Sequence, residues 1–259
     1  MTRSGAPRPT RWFEPATPRV LAHRGHHLEA PENTMLAFAS AVALGVDCIE
    51  TDVHATRDGV AVISHDPDLR RIAGIDTRLL DLDWSEVAAI RLPHDQGLPS
   101  LAEALDAFPD TRFNIDVKSD DAVEPTILAI RRADAADRVL VTSFDESRRA
   151  RTAAGLPGVA TSASSRGVVA TMIIGIVPWR ALRRRLLSVA LRGCGAIQVP
   201  VRRGPVVVVT ARRVADLLAV GVETHVWTID DPAEMRRLVA LGVTGIVSDR
   251  PDLALAALR

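Results

Sequence analysis

The chain has 259 residues, of which 47% are hydrophobic and 25% charged, a composition that excludes disorder and suits one globular domain. Lysine plus arginine equals aspartate plus glutamate at 32 each, so net charge does not direct the protein to nucleic acid. Two cysteines are too few for a disulfide framework, and no run approaches the ~20 apolar residues of a membrane span. Cytoplasmic residence is therefore the expectation.

Residues 1–19 contain several prolines and arginines but no apolar segment of the kind found in secretory signals. We expect a loosely ordered lead-in there, followed by one domain over residues 20–259. Within that domain, eight apolar runs have the composition of buried strands, and an additional run at 60–64 follows the second of them. The eight runs are 20–23, 48–52, 112–117, 139–143, 159–162, 196–199, 223–228 and 245–248.

The segments between these runs have the signals of helices. Thr34 can accept hydrogen bonds from the first N–H groups of a helix, which predicts a helix start there. Three helices are predicted to end at Gly45, Gly221 and Gly242, each followed at once by a valine that begins the next strand. Strands that alternate with helices in this way predict parallel βαβ units.

Ionisable side chains stand at the C-terminal ends of strands, where parallel α/β folds keep their chemistry. The first set comprises His23, Arg24, Glu50, Asp52, His65 and Asp66. Because side chains alternate along a strand, Glu50 and Asp52 share a face and can bind one hard divalent cation. Two histidines suit proton transfer, and an arginine fork matches phosphate oxygens, so the set favours phosphoryl transfer.

A second set lies in the run Asn114-Ile115-Asp116-Val117-Lys118. Asp116 and Lys118 share a strand face by the same two-residue period. They are predicted to add a third carboxylate and another cationic group to the site.

The motifs that carry this chemistry resemble those of the glycerophosphodiester phosphodiesterase family. They are HRG at 23–25, PENT at 31–34, ExD at 50–52, TxDGxxVxxHD at 56–66, NIDVK at 114–118, VWTIDDPAEMRRL at 226–238 and GIVSDRPDL at 245–253. The resemblance implies an α/β fold, a (β/α)8 TIM barrel with a small insertion after the second strand, for which we take residues 67–99. It further implies a hydrolase that cleaves small-molecule glycerophosphodiesters to glycerol 3-phosphate and an alcohol.

Residue roles follow from the same resemblance. The catalytic acid-base pair would be His23 and His65, and the phosphate-binding residues Arg24 and Lys118. One divalent cation, Ca²⁺ or Mg²⁺, would bind Glu50, Asp52 and Asp116, although family members commonly have glutamate where this chain has Asp116. Phe144 and Trp227 would line the substrate pocket, or else pack at the barrel rim.

Other readings stay open. The carboxylates could form a structural ion-pair network, a lysophospholipid could be the substrate, or the barrel could bind phosphodiesters without cleaving them. Among lesser residues, we expect Asp249 to cap the last helix and His26 and His27 to be solvent-exposed. Glu32 and Asn33 are expected to shape the first loop.

One stretch departs from the barrel pattern, because an apolar run at 168–177 is followed by Pro178, Trp179 and clustered arginines. We expect an enlarged fifth barrel helix, broken near Pro178, with its arginines on a solvated face. The alternative is weak peripheral contact with an anionic membrane surface through residues 168–185.

Overall fold

Strands and helices alternate along the chain. The computed structural model describes residues 10–46 and 48–259. The strands are β1 Arg19–His23, β2 Cys48–Ala55, β3 Ala61–Ile63, β4 Arg112–Val117, β5 Val139–Thr142, β6 Ala160–Thr161, β7 Ala196–Val199, β8 Arg202–Arg203, β9 Val206–Val207, β10 Glu223–Val226 and β11 Gly245–Ser248. The predicted runs differ from the eight corresponding strands by only a few residues at their ends.

The α-helices follow the strands in the order expected of βαβ units. They are α1 Met35–Leu44, α2 Arg70–Ala73, α3 Trp84–Ala88, α4 Leu101–Ala107, α5 Val123–Arg132, α6 Glu146–Gly155, α7 Ser165–Ile174, α8 Arg180–Ala190, α9 Ala211–Leu218, α10 Pro232–Ala240 and α11 Pro251–Leu258. Short 3-10 helices occur at Leu79–Asp81 and Pro93–Asp95.

Eight parallel strands form a nearly closed barrel in the described residues. Their order is β6-β5-β4-β2-β1-β11-β10-β7, and a bridge between Ser162 and Ala196 brings β6 back to β7. β3 pairs antiparallel with β2 outside this order, and β8 and β9 form a separate hairpin. The predicted (β/α)8 TIM barrel is confirmed.

Local signals explain where the helices begin and end. The hydroxyl of Thr34 accepts a hydrogen bond from the Ala37 N–H at 3.3 Å, so α1 begins as predicted. Gly45 ends the same helix in the left-handed conformation at φ 85°, and its N–H reaches back to helix carbonyls. That turn sends the chain directly into β2.

The segment before β1 contributes Trp12 to a core cluster formed by residues of the barrel strands. Trp12 is fully buried and packs with Leu21, Leu140 and Val247. The Arg19 guanidinium donates a hydrogen bond to the Phe13 carbonyl at 2.6 Å. Within the expected lead-in, Trp12 and Arg19 are therefore part of the packed structure, whereas residues 1–9 lie outside the described residues.

Residues 67–99 form a small layer between β3 and α4. Its apolar side chains pack on the outer side of β3, around Val62, Leu69, Leu79, Val87 and Leu92. The layer contains α2, α3 and the two 3-10 helices. It lies next to β3, so it stands beside the C-terminal end of β2.

The chain does break near Pro178, because α7 ends at Ile174 and α8 begins at Arg180. Arg183 and Leu187 are the buried residues of α8, and the Arg183 guanidinium forms an ion pair with the Asp216 carboxylate of α9 at 2.5 Å. Within the described ranges, no helix is both long and apolar enough to cross a membrane.

Candidate active site

Strand pairing brings the predicted site residues into rows. His23 on β1 is in register with Glu50 on β2, and Glu50 is in register with Asn114 on β4. One row further along, Asp52 is in register with Asp116. Residues that are 27 to 93 positions apart in sequence therefore meet at one end of the barrel.

Lys118 lies between two of the carboxylates. Its Nζ is 2.8 Å from Asp52 Oδ1 and 2.7 Å from Asp116 Oδ2. Burial alone would raise the pKa of Asp52, but the charges of Lys118 and Arg24 outweigh it and hold that pKa below its usual value. For Asp116 burial prevails, and its pKa is raised despite Lys118.

Glu50 has no such partner. Its Oε2 is buried without a hydrogen bond and lies 3.8 Å from His23 Nε2. Burial, together with the neighbouring charge of Asp52, raises the pKa of Glu50 to about 8. An additional positive charge near this carboxyl would strongly favour its ionised form.

His23 is held by a carboxylate from the opposite end of the chain. Its Nδ1 is 2.6 Å from Asp249 Oδ1, and His27 Nε2 contacts the same oxygen at 3.2 Å. Burial alone would lower the pKa of His23, but the hydrogen bond with Asp249 and the charge of Glu50 raise it above its usual value. The expected capping role of Asp249 is wrong, because Arg250 is the N-cap of α11 and the Asp249 carboxylate is turned toward the histidines.

His65 has an equivalent arrangement. Its Nδ1 is 2.8 Å from Oδ1 of the adjacent Asp66, whose other oxygen accepts a hydrogen bond from Arg71 of α2 at 2.5 Å. In both histidines the carboxylate at Nδ1 sets the ring orientation and leaves Nε2 for other contacts. The site thus contains two carboxylate-oriented imidazoles.

The PENT segment supports the site directly. Glu32 accepts hydrogen bonds from Arg24 at 2.9 Å and from Arg71 at 2.6 Å, which joins the first loop to the layer of residues 67–99. Asn33 contacts the Asp52 carboxylate at 3.4 Å and accepts from Thr51 at 2.7 Å. These contacts go beyond the loop-shaping role expected from the sequence.

Gly25, the last residue of the HRG motif, lies at a position where the backbone requires glycine. It has φ 86°, and a Cβ at this position would lie 2.7 Å from the backbone carbon of Ala37 in α1. Only glycine lets this loop approach the helix so closely. The approach leaves the His26 N–H bonded to the Ala37 carbonyl at 2.9 Å.

Both histidines line one cavity of about 550 Å³. Its wall includes all nine residues predicted from the sequence: His23, Arg24, Glu50, Asp52, His65, Asp116, Lys118, Phe144 and Trp227. The Phe144 and Trp227 rings pack edge to face with centroids 6.2 Å apart, and Lys118 lies 5.8 Å from the Phe144 centroid. Half of Phe144 is exposed, so the ring is accessible at the mouth.

A second cavity of about 470 Å³ adjoins the first. The two share His65 and Lys118 in their linings, and the second extends past His54, Arg78 and Asp121. His54 Nε2 donates a hydrogen bond to the His65 carbonyl at 3.2 Å, so His54 lines this region beside His65. Space is therefore available on two sides of the His65 and Lys118 pair.

The carboxylate set matches a hard cation in its chemistry. Glu50 Oε2 and Asp116 Oδ1 are buried oxygens without a hydrogen-bond partner, and such oxygens are the ligands that Ca²⁺ and Mg²⁺ prefer. In the side-chain arrangement of the part of the chain that the structure describes, no three potential ligands converge closely enough to hold an ion. Lys118 instead occupies the space between Asp52 and Asp116.

Known proteins match almost the whole chain. A family model, the Glycerophosphoryl diester phosphodiesterase family, matches residues 23–253. The Probable glycerophosphodiester phosphodiesterase 2 of Mycobacterium tuberculosis is 42% identical over 236 residues, or 90% of this chain and 88% of the relative. A lysophospholipase D of Rattus norvegicus is 24% identical, over 90% of this chain and 83% of the relative. An Oleispira antarctica phosphodiesterase, solved with the product sn-glycerol-3-phosphate, superposes with a TM-score of 0.75 at 22% identity, over 93% and 97% of the two chains.

Fold and family together define a barrel enzyme of the phosphodiesterase class, as the sequence motifs predicted. The chain belongs to the glycerophosphoryl diester phosphodiesterase family.

Proposed function

We propose that this protein hydrolyses glycerophosphodiesters to sn-glycerol 3-phosphate and an alcohol, with the help of one divalent cation. The observation that carries the proposal is the cavity in which two carboxylate-oriented histidines face Arg24 and Lys118. Two proton carriers and two cationic side chains are what hydrolysis of a phosphodiester requires of a protein. The matched phosphodiesterases support the same reaction.

His23 and His65 are proposed as the acid-base pair. Because Nδ1 of each ring is bonded to a carboxylate, Nε2 is the atom that exchanges protons in the cavity. One histidine removes a proton from the nucleophile, and the other protonates the departing alcohol. The assignment of the two roles is left open between them.

Arg24 and Lys118 are proposed to bind the phosphate. Arg24 forms an ion pair with Glu32, and its Nε lies 3.2 Å from Asp52, so its guanidinium is held in position at the cavity wall. Lys118 carries a raised pKa, because the attraction of Asp116 and Asp52 exceeds the opposing effect of burial. Both cationic groups can offset charge that develops on the phosphoryl oxygens.

Glu50, Asp52 and Asp116 are proposed to hold the cation. When bound, a Ca²⁺ or Mg²⁺ ion supplies Lewis-acid stabilisation to a phosphoryl oxygen. Lys118 has to turn from the carboxylates toward the phosphate for all three to serve as ligands. The shorter arm of Asp116, compared with the glutamate common in the resembling family, is the part of this ligand set that departs from the family pattern.

The nucleophile is either water or the neighbouring glycerol hydroxyl. Attack by the hydroxyl would give a cyclic phosphate that is hydrolysed in a second step. A short incubation in isotopically labelled water, followed by product analysis, separates these routes, since a released cyclic product contradicts direct attack by water.

Hydrolysis of lysophospholipids is the second candidate function. The relative from Rattus norvegicus is named a lysophospholipase D. In this chain α7 exposes Val169 and Ile173 and contributes the adjacent Val168 to the cavity lining. Preference for glycerophosphocholine over lysophosphatidylcholine, measured with the same enzyme preparation, would argue against it.

The decisive assay is the release of glycerol 3-phosphate from glycerophosphocholine and glycerophosphoethanolamine in the presence of calcium, magnesium or EDTA. We expect activity that needs a divalent ion and is lost in His23→Ala. His94→Asn is the matched control, because His94 is exposed, is not part of either cavity lining, and has φ 60°, which asparagine tolerates. No release with either substrate under any metal condition would overturn the proposal.

A further inference from the structure

The helices α7 and α8 expose apolar side chains where barrel helices normally expose polar ones. On α7 and the turn after it, Val169, Ile173 and Ile176 recur at i, i+4 and i+7, and Ile176 is 79% exposed. Trp179, just before α8, is 69% exposed. The solvent side of α8 carries Leu182, Leu186 and Val189, whereas its buried side carries Arg183 and Leu187.

The β8–β9 hairpin continues this surface. Val206 and Val207 at its second strand are exposed, and Arg213 of α9 donates to the carbonyls of Val207 and Val208. Arg212 of α9 donates to the Gly175 carbonyl in the turn after α7. These three hydrogen bonds tie the hairpin and the α7–α8 turn to the same helix. We call the surface formed by residues 169–189 and 202–207 the apolar-arginine face.

The charge of this region is of one sign. Residues 165–213 contain ten arginines and no aspartate or glutamate: Arg166, Arg180, Arg183, Arg184, Arg185, Arg192, Arg202, Arg203, Arg212 and Arg213. Arg183 and Arg184 both pair with Asp216, whose single negative charge offsets one of their two positive charges. Arg180, Arg185 and Arg203 are exposed and have no carboxylate partner within the described residues.

The apolar-arginine face adjoins the mouth of the active-site cavity. Val168 of α7, Arg203 of β8 and Val208 after β9 all line that cavity. A surface that rests against this face would therefore border the opening through which a substrate enters.

From these observations we propose that the apolar-arginine face docks on the surface of a bilayer that contains anionic phospholipids. Apolar side chains at the centre enter the interface between headgroups and acyl chains, and arginines pair with lipid phosphates. A second copy of the chain is a poorer occupant, because a two-fold contact would place this arginine-rich surface against itself. The docked orientation places the cavity mouth beside the lipid headgroups.

Sedimentation with vesicles tests the proposal on the full chain. Wild type is expected to bind vesicles of equal phosphatidylcholine and phosphatidylglycerol at least tenfold more strongly than vesicles of phosphatidylcholine alone, and less strongly at high salt. The double variant Ile176→Ser/Trp179→Ser is expected to bind at least tenfold more weakly. The double variant Arg180→Glu/Arg185→Glu is also expected to bind the anionic vesicles at least tenfold more weakly. A glutamate at position 180, in the first turn of α8, is compatible with the helix dipole.

Leu128→Ser is the matched control, because Leu128 is 55% exposed on α5, outside the apolar-arginine face. All variants should hydrolyse soluble glycerophosphocholine at the wild-type rate, which reports correct folding. Vesicle binding is read without any turnover, and the melting temperature of each variant reports correct folding independently of activity, so a failure of the proposed reaction does not obscure the result. The proposal is overturned if wild type does not sediment with the anionic vesicles, if it binds both vesicle types equally, or if Leu128→Ser weakens binding as much. Dimers in size-exclusion chromatography that Ile176→Ser/Trp179→Ser converts to monomers, without vesicle binding, would overturn it in favour of a second copy.

Discussion

Asp249 provides the sharpest test of the proposed acid-base pair. In Asp249→Ala, His23 loses the carboxylate that lies 2.6 Å from its Nδ1. A hydrogen bond to a charged group contributes about 1.5–3 kcal/mol, and because 38% of the Asp249 side chain is exposed, we take about 2 kcal/mol. At 1.36 kcal/mol per tenfold change, the variant should lose about 30-fold in kcat/KM, mainly through kcat.

The assay is steady-state release of glycerol 3-phosphate from glycerophosphocholine, with the melting temperature measured in parallel. Asp249→Asn keeps an oxygen acceptor for Nδ1 and should lose less activity than the alanine variant. Asp252→Ala is the control, because Asp252 lies in the first turn of α11, three residues after Asp249, but pairs with Arg250. If Asp249→Ala stays within threefold of wild type while remaining folded, the carboxylate does not orient a catalytic histidine and the reasoning is refuted.

Four further predictions concern stability, its dependence on pH, and the pocket. Gly25→Ala should lower the free energy of unfolding in urea by about 2–5 kcal/mol, because a Cβ adds a clash with the α1 backbone to the strain of a positive φ. Gly59 has φ 81° and open space around it, so Gly59→Ala should lower that free energy by only about 1–2 kcal/mol. Equal losses in the two variants would contradict the clash. Asp216→Ala should lose about 3–5 kcal/mol because Arg183 is left buried and unpaired, and Arg183→Met added to it should restore most of that loss. The pKa of Asp216 is lowered in the folded protein, so its contribution to the free energy of unfolding is present above the unfolded pKa of about 3.9 and should vanish as pH falls through the folded pKa. The difference in unfolding free energy between wild type and Asp216→Asn should therefore shrink as pH falls. A difference that stays constant throughout the acid titration would contradict this. Phe144→Ala should reduce kcat/KM for glycerophosphocholine by about three- to tenfold through loss of the ring contacts with Trp227 and Lys118, and an unchanged value would make Phe144 a rim residue only.

The barrel was predictable because its signals are local. Each strand is a short apolar run, and a glycine such as Gly45 or Gly242 marks the end of a helix and the start of the next strand. The shared face of Glu50 and Asp52 follows from the alternation of side chains along one strand. Those parts of the prediction needed no knowledge of which strands become neighbours.

The support of the site depended on long-range pairing. His23 and Asp249 are 226 positions apart and meet only because β1 pairs with β11, which no local pattern encodes. The GIVSDRPDL motif contained the signal, but the proline after Arg250 made a helix cap the simpler interpretation of Asp249. Arg71 was missed for a similar reason, since its contacts with Glu32 and Asp66 depend on how the layer of residues 67–99 folds back.

The junction of the two cavities at His65 and Lys118 has a consequence for how turnover ends. A diester bound across this junction would have its two substituents in separate spaces, so cleavage would leave two products that do not block one another. An alcohol on the side of Arg78 and Asp121 would then be able to depart while glycerol 3-phosphate still occupied the larger space. Product inhibition by the two molecules should therefore follow independent rather than ordered kinetics.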